Sequence, residues 1–436
     1  MMRITCSKLE EVIATKFQTF WSPTRTEFTS FSQVLVKLVR IYRRLQPHSC
    51  RKSKKRLKRI ILILLVRRHK IIATPKELEE RLPVIRKLRR MIDSFADEEI
   101  PVYFRFRSKE QLHRLMRGFQ IPAIIRMPRT GNIFHGEEFL LIGLYRLHRP
   151  TTLSDAAFKI LFGFGHTAVS MIFNAFLDFF VTKWVYLLTD NMAFWLPYLP
   201  DCAQAIRDKC NDKGCYFPDS RSPGGLRVCG FIDNTMNATC RPGGGPARDG
   251  RDAPRNDPLI QRAWYSGWKK LHGMKYQTVD LPNGMNLNVW GPISVRHNDI
   301  TALHESNIND KLVQLQLGRQ HQWIIYGDSA YVHVADSHVA ARHHNGFNTE
   351  REVLENKCLS ACRECIEWDF GDVGVMWSIV EYKKVLKMNL MPVKNIYMIA
   401  LLLRNSYVTM NGGTTAEYFS LVPPTFEVWV SQGPRI

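Results

Sequence analysis

Two short apolar runs in this chain each lead into an aspartate. They are Val228-Cys229-Gly230-Phe231-Ile232-Asp233 and Trp323-Ile324-Ile325-Tyr326-Gly327-Asp328, each the length of a buried strand with an acid at its end or just within it. Such an aspartate has two readings. It can begin a turn, where its side chain hydrogen-bonds its own backbone. If the two strands are neighbours, however, the acids converge, and two carboxylates that close repel unless a cation lies between them. Hard oxygen donors of this kind suit Mg²⁺ or Mn²⁺.

The segments around these runs fix the fold class. Gly273 to Asp280 and Met285 to Ile293 read as strands joined by the turn Pro282-Asn283-Gly284, a good hairpin signal. A helical stretch, Ile300 to Leu317, precedes the second apolar run, and the chain reads helical again from Glu350 to about Asn405. The order strand, strand, strand, helix, strand, helix predicts an α/β domain with a mixed sheet. Between the first strand and the hairpin, Pro242 to Pro258 is a loop rich in Gly, Pro, Arg and Asp. It lacks the G-x-x-x-x-G-K-[ST] and G-x-G-x-x-G patterns of nucleotide cradles and reads as a flexible insertion.

Upstream, Pro101 to Leu199 reads helical. The run Ala156 to Phe162, with Ser154 as N-cap, the turn Gly163-Phe164-Gly165 and an amphipathic helix opening at Thr167 have the spacing of a helix-turn-helix. Its second helix would offer Ser170 and Asn174 to a DNA groove. An ordinary helical hairpin has the same spacing. The chain therefore divides into a basic N-terminal region, 1–100, a helical region, 101–205, and the α/β domain, 206–430.

The chain has 61 lysines and arginines against 40 acids, a net charge of +21, so its natural partner is a polyanion. Arg51 to Lys70 holds ten Lys or Arg and no acid, a nuclear-localisation or phosphate-binding segment or a solvated basic helix face. The start, Met1 to Phe20, has no uninterrupted apolar run of the secretory kind. Thr167 to Leu188 is the most membrane-like stretch, yet Asn174, Asp178 and Lys183 inside it would be costly in lipid. The expectation is a soluble intracellular protein without a membrane partner. Ten cysteines at irregular spacing do not form a disulfide framework. Cys358, Cys362 and Cys365 match the spacing of iron–sulfur ligands, but i, i+4 and i+7 also share one helix face, where small thiols suit a core.

Four ordered blocks then carry a resemblance. Gly230-Phe231-Ile232-Asp233-Asn234-Thr235, Tyr265-Ser266-Gly267-Trp268-Lys269-Lys270-Leu271-His272-Gly273, Tyr326-Gly327-Asp328-Ser329-Ala330-Tyr331 and Ile366-Glu367-Trp368-Asp369-Phe370-Gly371 resemble the signature blocks of PIF/Harbinger-type transposases, in that order. The resemblance runs from about Val102 almost to the C-terminus. It departs from the family at Asn234, usually Gly, at Trp268, often His, and in the long loop after Cys240.

The resemblance implies a ribonuclease-H-like domain with a mixed five-stranded sheet flanked by helices, preceded by an α-helical DNA-binding region. It implies that Asp233, Asp328 and Glu367 form a DDE triad holding two Mg²⁺ or Mn²⁺ ions for DNA cleavage and strand transfer. From the residues alone Glu364 and Asp369 compete with Glu367; the match of Glu367-Trp368 followed by Phe370-Gly371 selects Glu367. The resemblance further implies double-stranded DNA as substrate, a homodimer, a Myb-like helper protein and a nuclear location. Lys269, Lys270, His272, Lys275 and Arg296 are candidates for phosphate contact, and Asp299 for the N-cap of the helix that follows it. The alternative is a domesticated, catalytically silent DNA-binding protein derived from such a transposase.

Overall fold

The computed structural model describes residues 90–127, 131–153, 156–215, 227–242, 258–316, 323–333, 338–341, 348–388 and 390–434. The chain divides into Met1–Lys87 and Leu88–Ile436, and all the described residues lie in the second unit. The basic run Arg51 to Lys70, the N-cap Ser154 and most of the Gly-rich loop fall outside the described residues.

The helical segment comprises α1 (Glu99–Phe104), α2 (Lys109–Gly118), α3 (Gly136–His148), α4 (Ala156–Phe162), α5 (His166–Lys183) and α6 (Leu199–Asn211). Ser108 caps α2 by accepting a hydrogen bond from the Gln111 amide, as its residue type demands. The segment is not wholly helical, because β1 (Ile124–Arg126) and β2 (Ile133–His135) form a two-stranded antiparallel ribbon between α2 and α3. α3 and α5 press closely together. A Cβ on Gly143 would lie 2.3 Å from the Phe176 ring, so only glycine lets that ring reach the α3 backbone. At the other end of α5, the Phe119 ring meets those of Phe180, Trp184 and Phe426 edge-on at 5.0, 5.1 and 5.3 Å, and the Trp184 indole donates to the Phe119 carbonyl.

The sheet contains β3 (Val228–Ala238), β4 (Tyr265–Ser266), β5 (Leu271–Asp280), β6 (Asn286–Ser294), β7 (Ile324–Tyr326) and β8 (Val339–Ala340). β5 is antiparallel to β3 and β6, and β7 is parallel to β3 and β8, so the sheet is mixed, as expected. Among the described residues the sheet has six strands where five were expected. The additional one is the two-residue β4, which pairs with the start of β5 on the side β6 occupies further along. The hairpin turn is as expected: the Gly284 amide donates to the Leu281 carbonyl, and Gly284 has φ +81°, the left-handed region that glycine enters freely.

Helices cover both faces of the sheet. α7 (Asp299–Ser306) and α8 (Ile308–Gln316) replace the single helix expected over 300–317, because Asn307 turns left-handed at φ +51° and ends the first. The cap of α7 is Asn298, which accepts from the Thr301 amide; Asp299, expected as the cap, is the first helical residue. After β8 come α9 (Glu350–Arg363), α10 (Cys365–Met376) and α11 (Val393–Asn411). α11 is buried along most of its length and lies between α5 and β6, with Tyr397 stacked on Tyr276 of β5 at 4.1 Å. It joins the helical segment and the sheet into a common core. On the opposite face, α6 and α9 cover β3, with Phe231, Tyr326, Cys210, Cys215, Cys358, Cys362 and Cys365 in a second core. These thiols are free, and the three from α9 and α10 are buried, as core packing requires. No helix among the described residues is long and apolar enough to cross a membrane.

Two predictions follow from this core. G143A adds about 1 kcal/mol of helix propensity but forces Phe176 out of its place, so a net loss of roughly 1–3 kcal/mol in urea unfolding is expected. His148 accepts from the Arg105 Nε at 3.0 Å, and burial, with help from Arg105 and Arg149, pushes its pKa down to about 4. Folded His148 therefore stays neutral while the unfolded chain takes up a proton below about pH 6.5. Its contribution is constant above that pH and turns against the fold between about 6.5 and 4. Going from pH 7.5 to 5.5, the wild type should lose on the order of 1 kcal/mol more than H148Q.

Candidate active site

The register of β3 decides which way its aspartate faces. A bulge between Val228 and Gly230 shifts the alternation, so that Cys229 and Ile232 point into the main core and Phe231 toward the second core under α6 and α9. Asp233 is two residues past Phe231 and shares its face. β7 pairs with β3 only as far as Phe231 and Tyr326, whereas β3 continues to Ala238 alongside β5. Asp233 thus has Thr278 of β5 beside it and, among the described residues, no strand on its other flank. Asp328, two residues past Tyr326, leaves β7 into that notch.

The strands that carry these aspartates are neighbours, and each aspartate also bonds its own backbone. The Asp328 Oδ1 accepts from the Ala330 amide at 2.9 Å and the Asp233 Oδ1 from the Asn234 amide at 2.7 Å, so each shapes its local backbone. Asp233 is also electrostatically strained. Its pKa is raised to about 6: burial pushes it up, with smaller pushes from Asp328 and Asp299, against the lowering pull of the Asn234 amide and Arg363.

The cation at Asp233 is Arg363, the last residue of α9. Its Nη1 lies 2.6 Å from the Asp233 Oδ2, and its Nη2 lies 3.7 Å from the Glu367 Oε1. One planar guanidinium therefore reaches both acids, which places the two carboxyl groups within about a nanometre of each other. Glu367 is in the first turn of α10, with its side chain 63% exposed. Its competitors lie elsewhere. Glu364 is exposed at the α9–α10 junction, and Asp369 is buried against Arg404 and Thr415.

Sequence reasoning singled out neither Arg363 nor the part-buried pair beside Asp233, in which the Asn234 side-chain amide donates to the Tyr331 hydroxyl at 2.9 Å. The signal for Arg363 was its place four residues before Glu367, the spacing at which helical side chains meet. Asn234 and Tyr331 stood in the quoted blocks, but their contact exists only across the notch.

The donor set fits a hard divalent cation. It consists of carboxylate oxygens with a cation already seated among them, and the Asn234 Oδ1 beside them is buried without a hydrogen-bond partner. Among the described residues, no three His, Cys, Asp or Glu side chains are already gathered to hold a metal ion. Asp233 and Glu367 instead face the two ends of Arg363.

The expected phosphate-binding residues separate into two groups. Lys269, Lys270 and Arg296 are exposed. Lys275 is corrected: its side chain is 4% exposed, and its Nζ donates to the His297 carbonyl at 2.7 Å and to the Asp299 carboxylate at 2.9 Å. A lysine so enclosed is a structural counter-charge and is not available to DNA. His272 lies against Tyr265 with ring centroids 4.9 Å apart and planes tilted by 50°, and burial and Arg241 lower its pKa, which disfavours its charged form. In α5, Asn174 is exposed and donates to the Ser170 carbonyl at 2.9 Å, while Ser170 is half-buried. Asp178, one turn beyond Asn174, is exposed too and places an acid on that face.

With the geometry in view, comparison with protein families gives a match. Residues 249–405 match the DDE superfamily endonuclease family. The matched stretch contains Asp328, Arg363 and Glu367, while Asp233 precedes it. The mixed sheet flanked by helices fits a nuclease of this kind. No curated protein and no solved structure matches the chain.

Behind the site, Arg404 of α11 bonds Asp369 and the Gly284 carbonyl, and it lies 3.7 Å from Asp372. This ties α10 to the β5–β6 hairpin. R404L would leave Asp369 buried and uncompensated, since burial already raises its pKa. An expected loss of roughly 3–5 kcal/mol, larger than that for D369N, can be read from denaturant unfolding.

Proposed function

We propose that this chain is a PIF/Harbinger-type transposase, a metal-dependent nuclease that cuts DNA at transposon ends and joins the freed 3′ hydroxyl to target DNA. One observation carries the reading. Two strand-borne aspartates enter a single notch, and one of them shares its cation with a glutamate of the adjacent helix, within a chain whose residues 249–405 match DDE endonucleases.

On this reading the domain is ribonuclease-H-like, and Asp233, Asp328 and Glu367 hold two Mg²⁺ or Mn²⁺ ions. Such ions activate an attacking oxygen and stabilise the leaving oxygen of an in-line displacement. The chain's own residues do the rest. The three carboxylates supply the charge that attracts the ions, Lys269, Lys270 and Arg296 position phosphates, and α4 and α5 act as a helix-turn-helix with Ser170 and Asn174 toward the groove. Double-stranded DNA, a nuclear location, a homodimer and a Myb-like helper belong to the same proposal.

A second reading is a domesticated DNA-binding protein that no longer cuts. It is favoured by the exposed Glu367 and by the guanidinium seated between two of the acids. Incubation with Mg²⁺ and a plasmid bearing matched transposon ends separates the two readings. Cleavage by the wild type and a loss of roughly a thousandfold in D328A, with end binding retained, are expected for the enzyme. Equal absence of cleavage in both proteins, with binding intact, would establish the silent binder.

A further inference from the structure

The residue between the acids has a role beyond pairing. Arg363 ends α9, Glu367 lies in the first turn of α10, and Glu364 alone joins the two helices. The Arg363 side chain is 16% exposed and that of Asp233 20%, so their 2.6 Å contact is largely shielded from water. The Arg363 contact to Glu367, at 3.7 Å, is longer and ends on a side chain 63% exposed. The guanidinium is thus held firmly at one end and loosely at the other. A surface pair of the second kind is worth little, whereas a half-buried pair such as the first is screened much less.

Resting on the reading of Asp233, Asp328 and Glu367 as metal ligands, we propose that Arg363 is a positioning residue that acts as a latch. It neutralises Asp233 and keeps Glu367 within reach while no divalent ion is bound, and it must release Asp233 before the carboxylates close around a cation. The guanidinium occupies the Asp233 Oδ2 that a metal ion would need, so Arg363 and the metal compete for that oxygen. Lys275 does not perform this task, because its ammonium is committed to Asp299 and the His297 carbonyl. The geometry of the loose end assigns the order of events: Glu367 leaves the guanidinium first and Asp233 last.

The test measures binding of Mn²⁺ to the full chain without DNA, by counting free Mn²⁺ in electron paramagnetic resonance spectra. R363Q should bind Mn²⁺ roughly tenfold or more tightly than the wild type, whereas R363K, which keeps the charge, should stay near it. The gain in melting temperature on adding Mn²⁺ should likewise be larger for R363Q, a measure that also shows whether the variant folds. Affinity in R363Q equal to or weaker than that of the wild type, with D233N weakened, would overturn the latch and leave the metal site standing. Unchanged Mn²⁺ binding in both D233N and D328N would overturn the metal site, and the latch with it.

Discussion

The parallel pairing of β3 with β7 ends after Phe231 and Tyr326, and the rest of the site depends on that stop. Up to that point the two strands exchange backbone hydrogen bonds and bury apolar side chains on both faces. Beyond it β3 keeps β5 on one side and loses its neighbour on the other, so Asp233 borders an open notch that Asp328 enters. A longer β7 would have filled the notch with backbone. A shorter one would have left the two aspartates without a common direction.

Acids brought together in this way need counter-charges, and the fold supplies one to each of three groups. Arg363 serves Asp233 and Glu367, Lys275 serves Asp299, and Arg404 serves Asp369. The three cations differ in exposure and therefore in consequence. Arg404 and Lys275 are enclosed, and removing either would strand a carboxylate in a poorly solvated place. Arg363 is itself more exposed than Arg404 or Lys275 and faces the well-solvated Glu367 at one end, which makes that contact exchangeable. The same arithmetic of burial and charge explains why Lys275 is structural while Lys269 and Lys270, on the exposed turn before β5, remain free to meet a phosphate.

The scaffold behind the site is continuous. α11 is buried nearly all round because it lies between two layers, and it links the aromatic cluster around Phe119 to the inner face of the sheet. Through Arg404 it also fixes α10, the helix that carries Glu367. The helical segment and the sheet share one core, so the direction in which Glu367 points is set by side chains far from it in sequence.

Local pattern alone determined a good deal about this protein. The apolar runs ending in Asp233 and Asp328 and the Pro282-Asn283-Gly284 turn are short-range features whose physics acts within a few residues, and each stands in the structure as expected; Cys358, Cys362 and Cys365 are buried as a core suits, but on two helices, since Glu364 separates α9 from α10. The roles of Lys275, Asp299 and Arg363 were decided by tertiary structure. A lysine on a strand reads the same whether it faces solvent or Asp299, and the parity shift of a bulge leaves no mark in composition. The union of Asp233 with Glu367 through a guanidinium, and the separation of both from Asp369, arose only when α9 and α10 settled on the sheet. Charge interactions act through space and depend on burial, and a linear sequence carries neither distance nor dielectric.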